Sequence, residues 1–108
     1  MREINNLEFV ETENLNEILP EIDIFYMTRI QKERFENPEE YELAKGKFIL
    51  NLQNVSLMKN ESIILHPLPR IDEIAKEVDA DPRAKYFQQA RNGVYIRMAL
   101  LKILNDNI

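Results

Sequence analysis

Residues 81–104, DPRAKYFQQARNGVYIRMALLKIL, carry the strongest local structural signal in this sequence. Apolar side chains recur there at steps of three and four, the spacing of one face of an amphipathic α-helix. Asp81 is a favourable N-cap and Pro82 suits the first helical position, so the pattern predicts a long helix that begins at this point. The face consists of Phe87, Ala90, Val94, Met98, Leu101 and Leu104.

The same segment has a second apolar stripe, which consists of Ala84, Ile96, Ala99, Leu100 and Ile103. A helix that is apolar on two sides is normally buried on both. We therefore expect this helix to contact more protein than the 108 residues provide.

Strands are predicted upstream of the helix. Residues 62–65, Ser-Ile-Ile-Leu, form a compact apolar segment that a double proline then stops. Residues 22–30 are rich in aromatic and β-branched side chains and end in charge at Arg29, which predicts a buried strand. A third, shorter strand is predicted at residues 7–11, where apolar and polar side chains alternate.

Three short helices are predicted between these elements. Asn14 is a good cap for a brief apolar turn that Pro20 closes. Pro38 suits the first position of the next helix, and Gly46 suits its end. The predicted segments are residues 15–19, 38–44 and 52–58. Strands and helices that alternate in this way favour an α/β fold: part of a parallel, three-layer α/β/α sheet that ends in a long C-terminal helix.

Composition excludes several classes of protein. The 108 residues suffice for one small domain, and 44% hydrophobic with 31% charged residues is ordinary for a globular protein. No apolar run approaches the roughly 20 residues that span a bilayer, so no membrane segment is expected. The net charge is -5 without a basic stripe, which disfavours nucleic acid as a partner. The chain has no cysteine, which excludes disulfides and thiolate chemistry and favours a cytoplasmic location.

Arg29 and Gln31 are the candidate ligand-binding residues. They lie two positions apart at the carboxyl end of a predicted strand, and the strand period of two places both side chains on the same side. Open α/β sheets bind ligands at this edge, and a guanidinium beside an amide suits a small dicarboxylate. Glu33 follows closely and could hold Arg29 in position. The spacing alone also fits a set of solvated loop residues.

His66 is the only histidine, and it directly follows a predicted strand. It is either an acid–base group or a hydrogen-bonded residue at the strand end, and the lack of an accompanying carboxylate or serine motif favours the second. One histidine and scattered carboxylates give no metal-ligand spacing, so no metal is expected. The Leu68–Pro69 bond is a candidate cis peptide, since cis bonds are almost confined to X–Pro.

Three motifs in this chain resemble those of one enzyme family. Residues 26–35, Tyr-Met-Thr-Arg-Ile-Gln-Lys-Glu-Arg-Phe, resemble the decapeptide of aspartate carbamoyltransferases. Residues 66–74, His-Pro-Leu-Pro-Arg-Ile-Asp-Glu-Ile, resemble the second hallmark of that family. Residues 86–90, 92–93 and 97–101 resemble the C-terminal helix of the same family. The three matches keep the family's order and spacing.

Related transferases can be separated by the same motifs. Ornithine carbamoyltransferases carry a cysteine in the second hallmark where this chain has Pro67. They would also lack the Arg29-x-Gln31 arrangement. The resemblance therefore favours the aspartate enzyme.

The resemblance implies roles for individual residues. Arg29 and Gln31 match the positions that bind the carboxylates of L-aspartate, and Glu33 matches the acid that orients Arg29. Pro67 and Leu68 match positions whose backbone carbonyls accept hydrogen bonds from the carbamoyl amide and the attacking amine. The peptide bond that follows them, Leu68–Pro69, is cis in the family.

Other positions are implied to support the site. Residues 32–41 match a mobile loop that closes over the substrates, and Tyr41 with Asp72 matches a pair that braces this loop. His66, Pro69 and Arg70 complete the supporting set within the second hallmark.

The implied reaction transfers a carbamoyl group from carbamoyl phosphate to L-aspartate, giving N-carbamoyl-L-aspartate and phosphate at the start of pyrimidine synthesis. It depends on positioning and charge stabilisation and requires no cofactor or metal. By this resemblance residues 1–108 are the C-terminal portion of the L-aspartate-binding domain, without the carbamoyl-phosphate-binding domain. The chain alone is then expected to be inactive.

The resemblance also implies partners. They are the missing N-terminal domain or a companion polypeptide, two further copies in a homotrimer when complete, and regulatory chains as a further option. Two other functions stay open: a non-catalytic binding or interaction module of this fold, and a carbamoyltransferase for another amino acid.

Overall fold

The computed structural model describes residues 2–4 and 7–107, with side chains described from Leu7 onwards. The strands are β1 (Arg2–Ile4), β2 (Leu7–Phe9), β3 (Ile24–Tyr26) and β4 (Ile63–Leu65). The α-helices are α1 (Leu15–Ile18), α2 (Pro38–Lys45), α3 (Leu52–Val55) and α4 (Tyr86–Asp106). Two short 3₁₀ helices span Lys32–Arg34 and Lys76–Ala80.

Strands β3 and β4 pair in parallel, with Ile24 opposite Ile63. The backbone of residues 83–85 continues the sheet on the other side of β4, because the Ile64 amide donates to the Arg83 carbonyl at 2.7 Å. The Lys85 amide in turn donates to the Ile64 carbonyl at 2.9 Å. Parallel neighbours joined through helices confirm the predicted α/β class.

Strand β2 is correctly predicted as a strand but wrongly placed in the parallel sheet. It pairs antiparallel with β1 in a separate two-stranded ribbon, with Glu3 opposite Glu8. Alternating side chains are typical of strands with one solvated face, and such strands pair antiparallel far more readily than in a buried parallel sheet. Leu7 accordingly remains exposed.

The predicted buried strand at residues 22–30 is shorter and less buried than expected. Only Ile24–Tyr26 form β3, and the outer two side chains are 59% and 53% exposed. Because side chains alternate along a strand, Phe25 points to the opposite face of the sheet and packs against the core. One face of the β3–β4 sheet is thus covered by the core, and the other lines an open groove beside α4.

Local capping decides where the short helices begin. In α2, Asn37 accepts a hydrogen bond from the Glu39 amide at 2.9 Å and Pro38 takes the first turn, as the sequence predicts. In α1, Asn14 occupies the cap position, but its side-chain amide donates to the Glu17 carboxylate at 2.7 Å and forms no capping hydrogen bond with the backbone. Helix α3 ends at Val55 and is shorter than predicted.

Helix α4 begins at Tyr86, four residues later than the predicted start at Pro82. The Asp81 carboxylate accepts from the Arg83 amide at 2.9 Å and also pairs with the Arg83 guanidinium, so it closes a tight turn instead of capping the helix. Ala84 forms a parallel bridge with Ile64. That bridge needs extended backbone, and therefore residues 83–85 cannot be helical.

The core is small and lies on the α3 side of the sheet. Its buried apolar members are Leu19, Met27, Leu50, Val55, Met58, Ile64, Ile74, Val78 and Tyr86. The Leu50 amide donates to the Glu73 carbonyl at 2.9 Å, which ties the segment before α3 to the segment after β4.

A polar cluster anchors the start of α4. The Tyr86 hydroxyl donates to Asp79, and the Arg70 guanidinium pairs with the same carboxylate. Burial and the hydrogen bond to Asp79 raise the pKa of Tyr86 to about 12. The Arg70 hydrogen bond holds the pKa of Asp79 below its usual value. The cluster therefore keeps a neutral phenol and an ionised carboxylate together at neutral pH.

Replacing Tyr86 with phenylalanine tests this anchor. Tyr86→Phe should lower the free energy of unfolding by about 1–2 kcal/mol, because a donor to a carboxylate is lost while the ring remains. Urea unfolding followed by circular dichroism measures the change. The matched control is Tyr95→Phe, an exposed tyrosine of the same helix, which should stay within about 0.5 kcal/mol of the unsubstituted chain. Equal effects of the two substitutions would contradict the anchor.

The chain exposes more surface than a self-contained domain of its mass. Its accessible area is 8717 Å², against roughly 6,300 Å² for a folded 12.8 kDa monomer. Its radius of gyration is 17.1 Å, against about 13 Å for a compact chain of this length. Both apolar stripes of α4 contribute, since Leu101 is 68% and Leu100 is 54% exposed. No helix within residues 7–107 is long and apolar enough to span a lipid bilayer.

Candidate functional site

A cleft of about 640 Å³ opens where β3 and β4 end. Its walls come from the segment after β3 and the turn after β4, because the carboxyl ends of parallel strands meet at the same edge of a sheet. The lining residues are Thr28, Arg29, Gln31, Arg34, Phe35, His66, Pro67, Leu68 and Pro69. Residues from the first and second sequence motifs thus line one cavity. Two of them, Gln31 and His66, are 35 positions apart in the chain.

The charge of this cleft favours an anion. Arg29 and Arg34 both line it, and no carboxylate does so within the described part of the chain. Neither guanidinium forms an ion pair with a described residue, so their N–H donors are available to a ligand. Gln31 adds a neutral amide beside them. Two forked cations without a counter-charge suit a molecule with two carboxylates or with a phosphate.

Glu33 does not contact Arg29 in this structure. It is exposed on the 3₁₀ helix Lys32–Arg34, and among residues 7–107 it forms no ion pair with Arg29. Gln31, directly before this 3₁₀ helix, has extended backbone with φ of -82° and ψ of 106°. The implied role of Glu33 as the acid that orients Arg29 stays a prediction.

Tyr41 and Asp72 line one small cavity next to Arg29. The Asp72 carboxylate forms an ion pair with Lys45 at 3.7 Å, and the ring of Tyr41 packs edge-on against Phe35 at 5.7 Å. The structure brings the two residues together as neighbours, although the partner of Asp72 is the lysine at the end of α2.

His66 is fully buried and hydrogen-bonded, as its position after a strand predicts. Its Nε2 lies 2.7 Å from the Glu73 carboxylate, and the Leu68 amide donates to its Nδ1 at 2.8 Å. Glu73 was not predicted as the partner of His66. The available signal was an acidic residue placed directly before the apolar pair Ile74-Ala75, because a buried charge needs a partner.

Other contacts in this region were also not predicted from the sequence. The Gln89 side chain on α4 accepts a hydrogen bond from the His66 amide at 3.0 Å. Arg34 was not predicted as a binding residue, yet it lines the cleft. Arg70, predicted as a supporting residue, does not line the cleft and instead anchors α4 through Asp79.

Backbone geometry in the second motif is unusual. The Leu68–Pro69 peptide bond is cis, as predicted. Leu68 also has a φ of 53°, in the left-handed region that residues other than glycine adopt uncommonly. Pro67 and Leu68 lie beside Pro69 in the wall of the cleft, next to the arginines. Their implied role as carbonyl acceptors stays a prediction.

Glu73 is ionised despite its burial. Burial alone would raise the pKa of this carboxyl group, but hydrogen bonds from backbone amides, including that of Ile71, and from His66 lower it below its usual value of 4.5. A carboxyl group whose pKa is lower in the folded state than in the unfolded state stabilises the fold at pH values above its unfolded-state pKa. This contribution is lost as the pH falls through the folded-state pKa.

Acid unfolding of a Glu73→Gln variant measures this contribution. The free energy of unfolding should decrease less steeply for this variant than for the unsubstituted chain between about pH 5 and pH 3, because one carboxylate no longer takes up a proton. Urea unfolding at a series of pH values gives both slopes. Glu61→Gln, which alters an exposed carboxylate, should leave the slope nearly unchanged. Identical slopes for Glu73→Gln and the unsubstituted chain would contradict the assignment.

Solved structures with the same fold are known. The catalytic subunit of M. jannaschii aspartate transcarbamoylase matches with a TM-score of 0.77 and 47% identity, covering 87% of this chain and 31% of that one. Aspartate transcarbamoylase from Trypanosoma cruzi, in complex with carbamoyl phosphate and aspartate, matches with a TM-score of 0.70 and 43% identity over 80% of this chain and 28% of that one.

Sequence relatives agree with this comparison. The aspartate carbamoyltransferase catalytic subunit of Alkaliphilus oremlandii is 56% identical over 103 residues, covering 95% of this chain and 31% of that subunit. A chloroplastic aspartate carbamoyltransferase of Pisum sativum is 54% identical over 99 residues, covering 91% of this chain and 26% of that protein. The chain thus spans about a third or less of the relatives it matches. The family model described as aspartate/ornithine carbamoyltransferase, Asp/Orn binding domain, matches residues 2–104, and the chain therefore belongs to the aspartate/ornithine carbamoyltransferase family.

Proposed function

We propose that this chain is the C-terminal portion of the aspartate-binding domain of an aspartate carbamoyltransferase. It supplies one half of a site that converts carbamoyl phosphate and L-aspartate into N-carbamoyl-L-aspartate and phosphate for pyrimidine synthesis. The observation that carries the proposal is the positively charged cleft, where Arg29, Gln31 and the 66–69 turn meet without a carboxylate among the described lining residues. Trypanosoma cruzi relatives bound to aspartate and to carbamoyl phosphate support the choice of substrates.

Each part of the cleft has a task in this reaction. Arg29 and Gln31 hold the two carboxylates of aspartate, which fixes the direction of its amine. The backbone carbonyls of Pro67 and Leu68 accept hydrogen bonds from the carbamoyl amide and the amine. A bond forms between the amine nitrogen and the carbamoyl carbon, and the carbon–oxygen bond to phosphate breaks. The electrons of the broken bond leave with phosphate, which takes up the proton that the amine loses. Catalysis then rests on positioning two bound reactants.

The remaining groups come from protein outside these 108 residues. In the proposal, the apolar stripes of α4 pack against the rest of the catalytic subunit, the two thirds of the relatives that this chain does not match. The excess exposed area of the chain supports that partner. The complete enzyme is proposed to be a cytoplasmic homotrimer, in which the site is finished by the carbamoyl-phosphate-binding domain.

The direct test mixes two polypeptides. One is this chain, and the other is the N-terminal two thirds of the Alkaliphilus oremlandii subunit, expressed separately. Formation of N-carbamoyl-L-aspartate is measured for each alone and for the mixture. Turnover in the mixture alone is the expected result. No turnover in a mixture whose components are shown to associate would overturn the proposed activity.

Amino-acid specificity follows from the same charges. Ornithine carries an extra ammonium group, which needs an acidic partner, and the described lining of the cleft offers two arginines instead. The assembled mixture should therefore carbamoylate aspartate and leave ornithine unchanged under the same conditions. Preferential turnover of ornithine would favour a transferase for another amino acid. Aspartate binding without any turnover would favour a non-catalytic dicarboxylate-binding module.

A further inference from the structure

The turn between β4 and Ile74 contains a buried, hydrogen-bonded pair of side chains, His66 and Glu73, that the proposed reaction does not use. The side chain of His66 has no exposed surface, and that of Glu73 is 8% exposed. Their closest atoms, His66 Nε2 and a Glu73 carboxylate oxygen, are 2.7 Å apart. Burying two polar side chains costs free energy unless their polar atoms are hydrogen-bonded.

The hydrogen bonds fix the tautomer of the ring. The Leu68 amide donates to His66 Nδ1 at 2.8 Å, so this nitrogen carries the lone pair. The proton of the neutral ring is then on Nε2, which donates to the Glu73 carboxylate. Both ring nitrogens are occupied and the ring is sealed from solvent. His66 therefore has no free atom with which to act as an acid or base on a ligand.

Glu73 extends the connection to the far end of the turn. Its second carboxylate oxygen accepts from the Ile71 amide at 3.0 Å. Its backbone carbonyl accepts from the Leu50 amide at 2.9 Å, which ties it to the core. At the other end, the His66 amide donates to the Gln89 side chain of α4 at 3.0 Å. His66 and Glu73, through their backbone and side-chain hydrogen bonds together, thus connect α4 to the core.

Leu68 is the residue at the centre of this arrangement. Its φ of 53° is unfavourable for a branched side chain, so the surrounding contacts must hold it there. The contact that reaches its backbone directly is the hydrogen bond from its amide to His66 Nδ1. Pro67 and Leu68 both line the cleft, which means that the conformation of Leu68 sets the shape of this wall.

We propose that the buried His66–Glu73 pair is a positioning device that holds the Leu68 backbone and so places the Pro67–Leu68 wall against the ligand of the cleft. The identity of that ligand rests on the proposed function, whereas the device itself does not. His66 and Glu73 are positioning residues in this view and touch no substrate. Their contribution to turnover comes entirely through the geometry of Leu68.

Two amide substitutions separate the two hydrogen bonds of the ring. In His66→Asn, the side-chain oxygen lies near the position of Nδ1 and can still accept from the Leu68 amide. In His66→Gln, the longer side chain reaches Glu73 as a donor and leaves the Leu68 amide without its acceptor. Both variants place a smaller amide in the same buried site, so each is the matched control of the other for lost packing.

Hydrogen exchange of the Leu68 amide, measured by NMR on this chain, tests the device without any assay of activity. Exchange should be faster in His66→Gln than in the unsubstituted chain and should stay slow in His66→Asn, since only the former loses the acceptor. Ring ¹⁵N shifts of the unsubstituted chain should show a protonated Nε2 and an unprotonated Nδ1. The opposite tautomer, or equal exchange in the two variants, overturns the proposal.

Turnover in the mixture with the N-terminal polypeptide tests the functional consequence. His66→Gln should lower kcat/KM by about 10- to 100-fold relative to His66→Asn, as expected for a displaced positioning group. Equal losses in the two variants overturn the functional part of the proposal. If the components of the unsubstituted mixture associate but show no turnover, the proposed function fails and the exchange comparison alone decides whether the His66–Glu73 pair positions Leu68. If His66→Gln does not fold, Glu73→Gln takes its place and should also speed exchange at Leu68, with unchanged exchange as the contrary result.

Discussion

Arg29→Ala should strongly reduce the turnover that appears when this chain is mixed with the N-terminal two thirds of a related catalytic subunit. The Arg29 guanidinium is one of the two forked donors that line the cleft, and no described residue forms an ion pair with it, so its hydrogen-bonding capacity is available to a carboxylate. Loss of a bidentate, charge-assisted hydrogen bond to the substrate should reduce kcat/KM by at least about 100-fold, which corresponds to roughly 2.7 kcal/mol of transition-state stabilisation.

Two further variants sharpen this result. Arg29→Lys keeps the charge but not the fork, and it should still lose about tenfold or more in kcat/KM. Lys76→Ala removes a positive charge from an exposed 3₁₀ helix that lines no part of the cleft, and it should leave turnover nearly unchanged. Steady-state kinetics at several aspartate concentrations provide the values. Comparable losses in Arg29→Ala and Lys76→Ala would mean that net charge, and not the cleft, supports the activity.

Docking of the N-terminal polypeptide should depend on both apolar stripes of α4. Successive helical residues are about 100° apart, so positions 100, 101 and 102 sample three sides of the helix. Leu100 belongs to the second stripe, Leu101 belongs to the first, and Lys102 is exposed and ion-paired with Asp106 at 2.7 Å. Leucine, lysine and glutamine have similar helix propensities, so one substituent serves at all three positions.

Leu100→Gln and Leu101→Gln should each weaken binding of the N-terminal polypeptide by about 10- to 100-fold, because burial of a leucine contributes about 1.5–3 kcal/mol. Lys102→Gln should bind as the unsubstituted chain does. Titration calorimetry measures the affinities, and sedimentation of this chain alone should show self-association that the two leucine variants reduce. Equal weakening at all three positions would exclude the stripes as the docking surface.

Part of this fold follows from local sequence. Pro38 and Gly46 define α2, the Ser62–Leu65 segment gives β4, and the three-and-four spacing after Tyr86 gives α4. Each signal is a property of a few neighbouring residues. Predictions that needed knowledge of a partner were less accurate. Of the strand predicted at residues 7–11, residues 7–9 pair in an antiparallel ribbon instead of the parallel sheet. Asp81 closes a turn because residues 83–85 pair with β4.

The same division holds for the cleft. The sequence by itself determined the family, the candidate residues Arg29 and Gln31, and the cis bond at Leu68–Pro69, since all three depend on motifs of contiguous residues. Only the tertiary structure decided that His66 pairs with Glu73, because this contact depends on how the intervening turn folds. The side-chain periods of helices and strands report which way a residue faces, but not what it meets there. Burial and pairing are set by distant segments brought together in the folded chain.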